Sequence, residues 1–124
     1  MANNSINKII VSALRPFGLP VAENLYEGTA KEFLTYNYAD DREGDAGDDE
    51  PQAYVASVQI HYFCPLNASY TDMKRRIRRT LVDAGFTAPE VTDASDTADR
   101  VRHLVFECEI ENEYDLESEE QRNG

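Results

Sequence analysis

The chain has 124 residues, with 24 acidic side chains against 12 basic ones. Such a length makes one domain with room for a real core, and 41% hydrophobic residues exclude wholesale disorder. A net charge of -12 excludes sequence-independent binding to the DNA backbone, which needs positive charge to release counterions.

The first predicted element is a helix over Ser5–Leu14. Ile6, Ile9, Ile10, Ala13 and Leu14 recur at helical spacing, and Ser5 or Asn4 caps the start. Pro16 and Gly18 end it. Pro20 opens a strand over Val21–Tyr26, followed by a turn at Glu27-Gly28. Glu32–Tyr38 reads as a second strand, with Leu34, Tyr36 and Tyr38 on one face. Asp40–Pro51 reads as a mobile loop, because seven acids between Asp40 and Glu50 leave nothing to bury.

Ala53–Phe63 is the clearest strand. Tyr54, Ala56, Val58, Ile60 and Tyr62 form an apolar core face; Val55, Ser57, Gln59, His61 and Phe63 form a mixed one. Cys64-Pro65 stops it, since proline has no amide to donate. The best helix spans Ser69–Ala84. Ser69 with Asp72 suggests a capping box; Met73, Ile77, Leu81 and Ala84 make the buried stripe; Gly85 and Phe86 close the end. Phe86–Thr92 is a weak edge strand because of Pro89. Asp93–Asp99 is loop-like. Arg102–Glu111 is a strong strand with Leu104, Phe106, Cys108 and Ile110 facing the core. The expected class is α+β: a mainly antiparallel sheet of four to five strands with two helices packed on one face. The expected organisation is one domain over residues 1–111 and an acidic, disordered tail over 112–124.

Charge is unevenly placed. Besides the acids of 40–50, eight more lie between Glu107 and Glu120, and five of the twelve basic residues are Lys74, Arg75, Arg76, Arg78 and Arg79. A solvated helix face accounts for the basic cluster; so does a subunit whose basic helix meets a neighbour's acidic patch.

Little in the sequence carries chemistry. His61, Cys64, His103 and Cys108 are zinc-ligand types, but residues three or five apart on a strand face opposite sides. A calcium loop aligned from Asp41 fails at Ala46, where glycine is needed, and at Gln52, where a bidentate glutamate is needed. No phosphate loop, nucleophile elbow or HExxH motif occurs, so neither an enzyme nor a cofactor or metal site is expected. Two cysteines make no disulfide framework, which favours a reducing compartment. The N-terminus lacks a signal-peptide pattern, and no apolar run is long enough to span a membrane.

Several stretches together resemble a known family. They are Phe33-Leu34-Thr35-Tyr36-Asn37-Tyr38 leading into the acidic 40–50 segment, Ala53–Phe63, Lys74-Arg75-Arg76-Ile77-Arg78-Arg79, Ala84-Gly85-Phe86, and His103–Ile110. The pattern is similar to the tail-completion, tail-terminator and head–tail joining proteins of long-tailed bacteriophages and prophages. It covers roughly residues 5 to 111. The resemblance implies a non-enzymatic structural subunit that forms a hexameric ring on the tail tube and joins it to the head. Its partners would be copies of itself, the tail-tube protein and the head-connector protein, with DNA passing through without specific binding. It would occupy the host cytoplasm during assembly and then the virion tail. In that setting Lys74, Arg75, Arg76, Arg78 and Arg79 would form a subunit interface. Asp40, Asp41, Glu43, Asp45, Asp48, Asp49 and Glu50 would form an assembly loop or line the lumen. The other classes kept open are an acidic DNA-mimic inhibitor and a small enzyme or ligand-binding domain.

Overall fold

The computed structural model describes residues 3–43 and 53–113. Helix α1 (Asn3–Leu14) is followed by a short 3-10 turn at Arg15–Phe17, then β1 (Val21–Glu23), β2 (Phe33–Glu43), β3 (Ala53–Pro65), α2 (Thr71–Asp83), β4 (Glu90–Asp93) and β5 (Val101–Glu113). The strands form one five-stranded mixed sheet in the order β1-β2-β3-β5-β4, and every pairing except β1–β2 is antiparallel. The fold is α+β.

Both helices cover the same sheet face. Ile6, Ile10 and Leu14 of α1 and Ile77 and Leu81 of α2 are fully buried against Leu34, Ala56, Val58, Ile60, Tyr62, Leu104 and Phe106. These are the apolar alternates of each strand, so strand parity alone selects the covered face. Met73 and Ala84 complete the α2 stripe as half-buried neighbours. The end of α2 is a Schellman motif: the Phe86 amide donates to the Leu81 carbonyl and the Gly85 amide to that of Val82, both at 3.0 Å. Gly85 takes a φ of 108°, which an L side chain adopts only under strain, and Phe86 folds back into the core.

Several expectations need correction: β3 runs on through Cys64 to Pro65, paired with Arg102 and Val101, past the stop expected there, and four further differences shape the fold. First, β1 is short and runs parallel to β2, with Val21 opposite Leu34, the exception within a sheet expected to be mainly antiparallel. The segment between them doubles back: the Tyr26 hydroxyl accepts from the Ala30 amide, and the Tyr26 ring packs 4.4 Å from that of Phe33. At Gly28 a Cβ would meet the Tyr26 hydroxyl at 2.1 Å, so any side chain there would displace the Tyr26 ring. Second, β2 continues to Glu43, past the expected loop start at Asp40. Asp40, Asp41 and Glu43 stand opposite Ser57, Ala56 and Tyr54, after a bulge between Tyr38 and Asp40. A partner strand satisfies the backbone whatever the side-chain charge, so composition does not veto a strand. Third, no capping box forms. Helix α2 starts at Thr71, its N-cap is Tyr70, and the Lys74 amide donates to the Tyr70 carbonyl. Asp72 instead sits in the first turn, where its charge suits the helix dipole. Fourth, β5 includes Asn112 and Glu113, expected as tail. The expected loop acids Asp45, Asp48, Asp49 and Glu50 and residues 114–124 lie outside the described residues.

Candidate interaction surfaces

The basic cluster of α2 divides by helical geometry. Ile77 and Leu81 point into the core, so Arg75, Arg78, Arg79 and Val82 share the outward face at i, i+3, i+4 and i+7 spacing. Val82 is 47% exposed. Among the described residues, Arg75, Arg78 and Arg79 have no ion-pair partner. With Val82, Asp83, Ala88 and Pro89 they line an open groove of about 460 Å³ between α2 and the connector to β4. Arg76 turns the other way, 5.0 Å over the ring of Phe17 and 3.9 Å from Asp72. Lys74 is half-buried. The five basic residues are therefore not one surface; three of them are.

The sheet face away from the helices carries a different arrangement. Phe33, Phe63 and His103 come from three adjacent strands and stack on one another, at 4.6 Å between Phe33 and Phe63 and 4.2 Å between Phe63 and His103. Tyr26 extends the stack at the Phe33 end. Because ring faces are taken up by neighbouring rings, the rib presents edges outward. Glu107 and Glu109 lie along the same face of β5, and their charge disfavours a nucleic-acid strand there.

The rib leads into a directed hydrogen-bond chain. His61 Nε2 lies 2.6 Å from Asn37 Oδ1, and Asn37 Nδ2 donates to Gln59 Oε1 at 3.2 Å. Asn37 Oδ1 only accepts, so His61 carries its proton on Nε2 and accepts at Nδ1. His103 Nε2, 2.8 Å from that Nδ1, is then the donor. Burial lowers the tendency of each ring to protonate, and a charge on His103 would lower that of His61 further. Asp93 acts in the opposite sense on His103.

This pair makes a pH prediction. Both histidines titrate below the ordinary value of 6.5 in the folded chain, so the unfolded chain binds protons first as pH falls. Their contribution is present above about pH 6.5 and is lost as pH drops through the lower folded values. Urea unfolding at about pH 7.5 and about pH 5.5 measures the loss. A His61→Gln/His103→Gln variant should lose less than the parent over that interval. Equal losses would show that the pair does not titrate with folding.

The cysteines lie elsewhere. Cys64 and Cys108 are buried on the helix-covered face, opposite the histidines, so His61 diverges from Cys64 and His103 from Cys108. Burial pushes the Cys108 thiol up to about 12 and raises that of Cys64, leaving both as neutral thiols. Tyr62, 1% exposed, donates to Glu32 at 2.5 Å and is held protonated by burial. Among the described residues, no group of three or more His, Cys, Asp or Glu is placed to hold a metal ion. No helix among them is long and apolar enough to cross a membrane.

No protein-family model matches the chain, and no curated protein matches it. One solved structure aligns over 88% of this chain and 94% of its own, with a TM-score of 0.56 and 14% identity. The likeness is one of fold. The name of that protein states no function.

Proposed function

We propose that this chain is a structural, non-enzymatic subunit of a bacteriophage or prophage tail, one that assembles as a ring, caps the tail tube and joins it to the head. The family resemblance over residues 5–111 suggests the setting. The observation that carries the assembly reading is the outward face of α2. Arg75, Arg78 and Arg79 stand exposed and unpaired among the described residues, on a chain of net charge -12. A concentrated basic face on an acidic molecule favours head-to-tail contact between copies, and repeated heterologous contact generates a ring when the rotation between copies closes. The same net charge lets DNA pass a ring of such subunits without being held.

An Arg75→Glu/Arg79→Glu variant tests this. Both side chains are exposed, so the monomer should fold with stability close to the parent's. Negative-stain microscopy with purified tail tubes should show capped ends with the parent and bare ends with the variant. Normal capping by the variant would return these arginines to solvent-facing residues.

One observation favours a second reading. Glu107, Glu109 and Glu111 lie at alternate positions of an ordered strand, and regular carboxylates on a rigid element are what a mimic of the phosphate backbone needs. Inhibition of a DNA-binding enzyme by a chain that ignores tail tubes would favour that reading.

A further inference from the structure

We infer that the arginine groove of α2 receives the acidic segment 114–120 of a second copy of this chain. The inference rests on the ring-subunit reading and names the surfaces that meet. The groove side is set by Arg75, Arg78 and Arg79 around Val82, Ala88 and Pro89, with a single carboxylate, Asp83, at its edge. The segment is Tyr114-Asp115-Leu116-Glu117-Ser118-Glu119-Glu120.

Spacing supports the match. In an extended segment, Asp115, Glu117 and Glu119 fall on one side at intervals of about 6.8 Å. Arg75 and Arg79 are one helical step of four residues apart, about 6 Å along α2. Successive carboxylates therefore meet successive guanidinium groups, a pairing in which arginine geometry is favourable.

Reach decides between the chain's own groove and a neighbour's. Helix α2 runs alongside β5 in the same direction: Arg102 packs on Tyr70 before the helix starts, and Gly85, just past its end, sits beside Ile110. The segment leaves β5 at Glu113, about 10 Å beyond Ile110. Arg79 lies about 9 Å back from Gly85 along the helix axis. Returning to its own Arg79 would require a reversal and then about 19 Å of chain. After a turn of three or four residues, Glu120 has about 13 Å left. Its own arginines are out of range for Asp115 and Glu117, whereas a neighbour placed ahead of β5 is directly in line.

Intermolecular paramagnetic broadening tests this on the full chain. A nitroxide is attached at Ser118→Cys; the native thiols Cys64 and Cys108 are buried and stay unlabelled. Unenriched, spin-labelled protein is mixed with ¹⁵N-enriched protein that carries no label, so only contacts between copies register. The expected result is selective loss of amide intensity over residues 75–82 and at Ala88. The loss should vanish at about 1 M salt, where the Debye length is about 3 Å, and in ¹⁵N-enriched Arg75→Glu/Arg79→Glu protein. Three results would overturn the inference: no broadening at low salt, broadening elsewhere, or broadening of α2 only when label and isotope share one molecule. Tube capping without this contact would sink the docking inference and leave the ring-subunit reading standing. The contact without tube capping would do the reverse.

Discussion

Replacing Phe106 with alanine should remove about 3–5 kcal/mol of folding stability, a large share of the total for a domain of this size. Phe106 is fully buried in the middle of β5, opposite Ile60 of β3 on one side and Val91 of β4 on the other, under the layer formed by Ile77 and Leu81. Truncation leaves a cavity the size of a ring in a close-packed interior that strands on both sides hold in register, so little can collapse into it. In urea, the midpoint should fall while the dependence on denaturant stays the same. An unchanged midpoint would place Phe106 on the solvent face of β5 and invert the sheet.

Replacing Arg102 with methionine should cost about 2–3 kcal/mol, although the side chain is not apolar core. Arg102 lies at the end of the covered face, 19% exposed, and joins three connections at once. Its Nη1 donates to Asp93 at the end of β4 at 2.9 Å, its guanidinium lies 4.2 Å over the Tyr70 ring at the start of α2, and Nη2 reaches the Leu66 carbonyl after β3 at 3.4 Å. Methionine keeps an apolar stem but not the guanidinium, and leaves the Leu66 carbonyl and the Asp93 carboxylate without this partner. Lysine should recover only part of the loss, because a point charge cannot stack on Tyr70 and bond Asp93 in one geometry. Thermal unfolding of the two variants checks this. Full rescue by lysine would show that charge alone matters at this site.

The elements that were legible in the sequence share a cause. Val58, Ile60, Tyr62, Leu104 and Phe106 follow the two-residue period of a strand, and Ile77 and Leu81 follow the helical one, so each buried face could be read locally. The Gly85-Phe86 helix end was legible for the same reason, since its bonds close within five residues. Ends decided by a distant partner were not. The extension of β2 to Glu43 depends on β3 running opposite it, and the parallel course of β1 depends on its pairing with β2, more than ten residues on.

The surfaces divide in the same way. Helical periodicity alone puts Arg75, Arg78 and Arg79 together on one face of α2, but the turning of Arg76 toward Phe17 needed the 3-10 turn after α1 to be in place. The pairing of His61 with His103 left no local signal beyond shared parity. Residues 42 apart meet because the β3–β5 register sets Phe63 opposite His103 and Val105 opposite His61. Composition and period therefore determined that this is a small, acidic α+β domain and which face of each element is buried, because those properties depend on neighbours a few residues away. Register, strand direction, the histidine–asparagine chain and the groove beside α2 were decided only by tertiary structure, because each depends on which distant backbone groups pair, and no local period encodes that choice.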